Sequence, residues 1–193
     1  MSQASKAFMA NPLEFMRQNL VVIDGGGLWC NSKDDNFDLT PTGDGFSSKG
    51  SKIPQYSLAR ARSDTTDPIP AYWLAMQWEG VESKVLDTSR KVFFTDGLSG
   101  CAFVAGSGPK PLVKHIHADL AKPDEVIDDP HNAGMDIYTA ANYKADETDA
   151  RGNEGRASVF GIKTAKGWEF WAQARIYDGK KWKMRFPEGI MPV

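Results

Sequence analysis

The sequence predicts one α+β domain, mainly an antiparallel β-sheet or sandwich, with a few flanking helices and long loops. Three segments near the end of the chain, 157–164, 168–177 and 180–186, are separated by the tight-turn pairs Lys166-Gly167 and Asp178-Gly179, which is typical of a three-stranded meander. Shorter apolar runs with the length of strands occur at 20–23, 71–79, 92–95, 102–105 and 112–117. These two observations predict a sheet core.

Length and composition bound the range of functions. The chain has 193 residues, which suits a single domain spanning 1–193. Its formal net charge of −2 provides no field that would attract nucleic acid or anionic lipid. No apolar run approaches the roughly 20 residues of a membrane span. The two cysteines, Cys30 and Cys101, do not form a disulfide framework, and no motif indicates a cofactor.

The remaining elements follow from local signals. Asn11 and Pro12 predict the start of a short helix over 12–19, because asparagine favours the N-cap and proline the first helical position. The polar, glycine-containing stretch 31–51 predicts a long surface loop, and 81–89 predicts a short helix or turn. Residues 119–150 are strongly acidic, which indicates either a solvated face or the wall of a cleft for a basic partner. The first residues lack the features of a signal peptide.

One hairpin carries the candidate chemistry. Segments 102–105 and 112–117 read as strands joined by the turn residues 106–111. Antiparallel pairing about that turn places Cys101 near His115 and His117. Since side chains alternate along a strand, both histidines share one face.

A thiol beside an imidazole can act as a nucleophile with its base. Ser99 and Gly100 form the turn before Cys101, where backbone N–H groups could hold a developing oxyanion. Two other interpretations stay open. A lone cysteine is often a small buried hydrophobe, and two histidines could bind metal, although a single nearby cysteine makes a weak zinc signal and we expect no metal.

The stretch Leu98-Ser99-Gly100-Cys101, with Thr95 six residues before the cysteine and a histidine at the end of the next strand, resembles a known catalytic site. That known site is found in the bacterial glutamine deamidases of the cytotoxic necrotizing factor and Burkholderia lethal factor type, and in the chemoreceptor deamidase CheD. The resemblance covers about 25 residues.

The resemblance implies a β-sandwich with flanking helices and a toxin or effector that converts a target-protein glutamine to glutamate. It implies that Cys101 is the nucleophile, that Thr95 orients the site, and that a histidine is the base. Both His115 and His117 satisfy the spacing. We favour His117, since the Ala118-Asp119 exit after it resembles that of the family, and keep His115 as the alternative.

The partner implied is a host regulatory protein with an accessible glutamine, such as a small GTPase or a translation factor. Delivery would use a specialised secretion system, with action in the cytosol of the target cell. Two alternative functions remain: a cysteine peptidase or transglutaminase that uses the same Cys/His pair, and a binding module without catalysis.

Overall fold

A large β-sheet lies between two N-terminal helices and a smaller sheet. This arrangement, seen in a computed structural model, confirms the predicted α+β class with a sheet core. The structure describes residues 2–23, 32–77, 80–120, 122–144, 155–177 and 180–193. The described helices are Gln3–Ala10 (α1), Pro12–Gln18 (α2), Pro123–Asp128 (α3) and Ala140–Tyr143 (α4). The described strands are Leu20–Val22 (β1), Asp35–Phe46 (β2), Lys52–Arg60 (β3), Ile69–Leu74 (β4), Val81–Val85 (β5), Val92–Thr95 (β6), Ala102–Ala105 (β7), Leu112–Ile116 (β8), Asp136–Tyr138 (β9), Gly155–Thr164 (β10), Gly167–Tyr177 (β11), Trp182–Met184 (β12) and Met191–Pro192 (β13).

The large sheet runs in the order β1-β3-β2-β12-β11-β10-β6-β4, and β13 pairs with β11. It curls, so that β2 also pairs with β4. The predicted meander is confirmed as β10, β11 and β12. Most pairs are antiparallel, but β1–β3, β4–β6 and β12–β2 are parallel, a feature that local turn signals do not predict.

The small sheet runs in the order β5-β8-β7-β9 and is antiparallel throughout. Its inner face packs on β6, β10 and β11 through a buried cluster that includes Phe93, Phe103, Val113 and Phe170. The predicted hairpin of β7 and β8 belongs to this sheet. The site therefore lies where the small sheet meets the large one.

The helices cover the other face of the large sheet. Asn11 caps α2 as predicted, because its side chain accepts the N–H of Glu14 at 3.2 Å. The helix α1 was not predicted. Phe8 of α1 is fully buried and contacts the rings of Phe15, Phe94 and Phe160.

This coverage on both faces explains a departure from the alternation expected for a half-buried sheet. Gln173 and Arg175 alternate with the apolar Ala172 and Ala174, as residues on the solvent side of a half-buried sheet do, yet both are fully buried. The carboxamide of Gln173 accepts the N–H of Val21 at 2.7 Å and donates to the carbonyl of Met16 at 2.6 Å. The side chain of Gln173 in β11 therefore attaches the N-terminal segment to the sheet.

The long loop predicted over 31–51 is wrong for most of its length. Residues 35–46 form β2, which pairs with β3 after a turn at 47–51. The sequence of β2 does not indicate a strand clearly, because its apolar side chains, such as Phe37 and Leu39, lie on the inward side. A register shift between Pro41 and Gly43 then interrupts the alternation.

The helix or turn predicted over 81–89 is also wrong, since Val81–Val85 is the strand β5. Its outward residues are exposed, so the alternation of apolar and polar positions is weak. Residues 24–27, Cys30, residues 145–154 and the predicted turn pair Asp178-Gly179 lie outside the described residues. Within the described residues, the longest helix has eight residues, and none combines the length and apolarity that a membrane span requires.

Candidate functional site

The turn that precedes Cys101 is fixed to the large sheet. Leu98 forms a bridge with Ala157 of β10, with hydrogen bonds of 2.8 and 3.0 Å between their backbones. Gly100 has a φ of +94°, and a Cβ at this position would lie 3.1 Å from the Cβ of Ala118. The turn therefore requires glycine, and it holds Cys101 in one position at the start of β7.

Tyr143 of α4 closes this turn from the other side. Its hydroxyl accepts the N–H of Gly100 at 2.8 Å and donates to the carbonyl oxygen of Cys101 at 2.7 Å. The ring is fully buried and stacks on Tyr138 at 5.7 Å. Burial raises the pKa of Tyr143, so the hydroxyl stays protonated and can donate. No local sequence pattern marks this residue, which lies 42 positions after Cys101 in the acidic stretch.

The thiol of Cys101 is enclosed. Cys101 is 1% exposed, and its Sγ lies 3.7 Å from the Sδ of Met76. Burial raises the pKa of the thiol, while the backbone N–H groups of Ser99, Ala118 and Cys101 itself favour the thiolate. A thiol with a raised pKa is protonated at neutral pH, so its use as a nucleophile requires a base.

The strand register brings both histidines to the face of the nucleophile. In the β7–β8 pair, Ala102 lies opposite Ile116 and Phe103 lies opposite His115. One step further along the same register, Cys101 lies opposite His117. Because the period of a strand is two, the side chains of Cys101, Phe103, His115 and His117 share the inner face. The predicted proximity of Cys101 to residues 115–117 agrees with this register.

A chain of hydrogen bonds determines the protonation of His115. Thr95 Oγ1 lies 2.9 Å from the carbonyl oxygen of Leu74 and 2.8 Å from Nδ1 of His115. A carbonyl only accepts, so the Thr95 hydroxyl donates to Leu74 and accepts from Nδ1–H. In the neutral ring, Nε2 then carries a lone pair.

The Nε2 atom of His115 is buried and has no hydrogen-bond partner among the described residues. Burial, with a smaller effect from the neighbouring His117, lowers the pKa of His115 to about 3. The ring is therefore neutral at physiological pH. It presents an oriented acceptor nitrogen, although a pKa this low makes it a weak base in the resting protein.

The environment of His117 differs. Its Nδ1 lies 3.3 Å from the backbone nitrogen of Asp119 and 3.5 Å from a carboxylate oxygen of the same residue. When Nδ1 accepts this N–H, the proton of the neutral ring is on Nε2, which then donates. His117 is 7% exposed, and its backbone N–H donates to the carbonyl of Gly80 at 3.0 Å.

The structure thus brings together Thr95, Cys101, His115 and His117. Ser99 keeps the position expected of it in the turn. The N–H of Gly100 is already bonded to Tyr143, so the amides nearest the thiol that remain are those of Ser99, Cys101 and Ala118. Among the described residues, no three His, Cys, Asp or Glu side chains are grouped as metal ligands would be.

No protein-family model matches this chain, and no curated protein has significant similarity to it. The function must therefore be inferred from the geometry of the site and from the short motif around Cys101.

Proposed function

We propose that the protein is a cysteine-dependent protein-glutamine deamidase, with Cys101 as nucleophile and His115 as general base. The observation that supports this most directly is the pair of hydrogen bonds that joins Leu74, Thr95 and His115. It leaves Nε2 of His115 unprotonated, and without a partner among the described residues, on the face that also carries Cys101. A base oriented through its second nitrogen by a third residue is the arrangement that nucleophilic catalysis uses. His117, which sequence position favoured, is the alternative base.

In this mechanism, Nε2 of His115 takes the proton of the Cys101 thiol as Sγ bonds to the carboxamide carbon of a glutamine. The backbone N–H groups of Ser99, Cys101 and Ala118 stabilise the negative charge on the carboxamide oxygen. The imidazolium then gives its proton to the departing ammonia, and a thioester remains. Water, deprotonated by the same imidazole, hydrolyses the thioester and releases glutamate and the free thiol.

We further propose that the substrate is a target protein in the cytosol of another cell, and that the protein is a bacterial effector. The location of the substrate and the effector role are proposed from the resemblance of the motif around Cys101. The acidic residues that follow His117, among them the exposed Asp119, could form a wall that favours a basic rim around the target glutamine.

The proposal is tested by incubating the protein with a panel of proteins that expose glutamine and measuring three products. Deamidation predicts ammonia release and a glutamine-to-glutamate mass change, without chain cleavage. Incorporation of an added amine would indicate a transglutaminase, and cleavage a peptidase. Cys101→Ser should remain folded and lose the activity, because a serine hydroxyl does not ionise as readily as a thiol. A Cys101→Ser variant with full activity would refute the assignment.

One observation favours the alternative of a binding module, namely the 1% exposure of Cys101. A buried thiol with a raised pKa reacts slowly with alkylating reagents. We expect iodoacetamide to label Cys101 faster in the native protein than in His115→Ala, since the base promotes ionisation. Equal and very slow labelling of both would support the binding module.

A further inference from the structure

The edge strand β5 presents a row of backbone groups that have no partner among the described residues. In its pairing with β8, the carbonyl of Gly80 accepts the N–H of His117 and the N–H of Leu86 donates to the carbonyl of Pro111, both at 3.0 Å. The even-numbered residues of β5 therefore bond to β8. Antiparallel geometry then turns the amides and carbonyls of Val81, Ser83 and Val85 away from the sheet.

No residue that the structure describes makes a hydrogen bond to the backbone of Val81, Ser83 or Val85 on that outer side. The side chains beside this edge are apolar and exposed: Val81 is 48% exposed, Val85 56% and Leu112, opposite Val85, 37%. An unprotected edge with apolar side chains is a template for another strand.

We propose that β5 pairs with β5 of a second copy of this chain, antiparallel about a two-fold axis through Ser83. The sequence Val-Glu-Ser-Lys-Val favours this occupant because it is complementary to itself when reversed. Val81 would lie opposite Val85 of the partner subunit. Glu82 would lie opposite Lys84 of the partner subunit, and the symmetry repeats both pairs.

The backbone geometry agrees with this register. The residues that turn their amides outward, Val81, Ser83 and Val85, are those that would face each other as hydrogen-bonded pairs, giving about six hydrogen bonds in all. Glu82 and Lys84 would then fall at the non-hydrogen-bonded positions, where side chains approach most closely.

Both charged residues keep capacity for a partner. Glu82 accepts the side-chain N–H of Gln77 on Oε2, at 2.6 Å, which leaves Oε1. The Nζ of Lys84 lies 2.7 Å from Asp34 and 3.4 Å from the carbonyl oxygen of Ser32, and an ammonium has three donors, so one remains.

The pairing would join two four-stranded sheets into one of eight strands. The interface is small, so we expect a reversible dimer with a dissociation constant of about 10 to 100 µM. This inference does not depend on the proposed chemistry, and its failure would leave the deamidase proposal unchanged.

The first test compares Ser83→Pro with Ser83→Ala by light scattering and sedimentation, from about 1 to 500 µM. Proline removes the N–H at the proposed axis, and it is tolerated at edge positions whose N–H faces away from the sheet. We expect the native chain and Ser83→Ala to dimerise with concentration, and Ser83→Pro to stay monomeric. A thermal melt confirms that each variant is folded.

The second test changes only exposed side chains. Val81→Lys combined with Val85→Lys would place lysine opposite lysine at both ends of the interface, and we expect the dimer to weaken at least tenfold. Val81→Lys combined with Val85→Glu would place lysine opposite glutamate, and we expect dimerisation to persist. A native chain that stays monomeric throughout, or a dimer that survives both Ser83→Pro and the two lysines, would overturn the proposal.

Discussion

The contact between Thr95 and His115 has the greatest consequence among single residues, because it favours His115 as the base, whereas the sequence favours His117. We expect His115→Ala to lower the rate per folded molecule at least about a hundredfold, the usual contribution of a positioned base. His117→Ala should keep most of the rate. The rate of Thr95→Val should lie between those of the two histidine variants, since this change removes only the acceptor for Nδ1–H of His115. The reverse order for the two histidine variants would assign the base to His117.

Tyr143 provides a second prediction at this scale, with a matched control in the same ring stack. Tyr143→Phe deletes a hydroxyl that bonds both Gly100 and Cys101, whereas Tyr138→Phe deletes a buried hydroxyl that has no hydrogen-bond partner among the described residues. We expect Tyr143→Phe to lower kcat about tenfold or more with little change in KM, because the nucleophile is less well positioned. Tyr138→Phe should keep its kcat. Equal kcat values for the two variants would mean that Tyr143 only packs.

Much of the residue-level site could be predicted from sequence, but its hydrogen bonds could not. The spacing of Thr95, Cys101 and the histidines follows from one turn and one hairpin, which local patterns define. The choice between His115 and His117 depends on the carbonyl of Leu74, in a strand of the other sheet. Tyr143 and Met76 reach the nucleophile through tertiary packing, and no local pattern marks them.

Elements were predictable where their sequence carries a turn signal or a continuous apolar run. The strands β6, β7, β8, β10 and β11 have these features. The strand β5 does not, because its outward side chains are exposed, and β2 is polar on one side and irregular at Pro41. The helix α1 was missed because its attachment is tertiary. Ser5 accepts the N–H of Leu39 at 2.9 Å and donates to the carboxylate of Asp38 at 2.5 Å.

That attachment predicts the contribution of α1 to the fold. Ser5 is fully buried, so Ser5→Ala removes a hydroxyl with three partners, Ser2, Asp38 and Leu39, and leaves Asp38 with fewer donors. We expect the free energy of unfolding, measured in urea, to fall by about 1 to 3 kcal/mol. Met9→Ala, at an exposed position of the same helix, should change it by less than about 0.5 kcal/mol. Similar losses in both variants would show that the hydrogen bonds of Ser5 contribute no more to the free energy of unfolding than an exposed side chain of the same helix does.

At the scale of the whole molecule, the two sheets meet at the site, so the stability of the fold and the protonation of His115 are coupled. Thr95 belongs to the large sheet and His115 to the small one, and their hydrogen bond crosses between the layers. Protonation of His115 in the resting protein places a charge in this buried interface, which the folded state disfavours. In the proposed mechanism the ring holds the proton only between the attack of the thiol and the departure of ammonia.

The coupling predicts a loss of stability in mild acid. The pKa of His115 falls from 6.5 to about 3 on folding, chiefly because burial disfavours the charged ring, so the unfolded chain binds the proton first. The contribution of His115 to the free energy of unfolding is complete above pH 6.5 and declines as the pH falls toward 3. Between pH 6.5 and 4.5 we expect a decrease of about 2 to 3 kcal/mol in the free energy of unfolding. Asp87, whose pKa a hydrogen bond from Tyr72 lowers to about 2, acts only below its ordinary value of 3.8 and so outside this window.

Urea unfolding should show the decrease in the native chain and in the control His131→Gln, at an exposed position, but not in His115→Gln. A decrease of the same size in His115→Gln would show that another group carries the pH dependence.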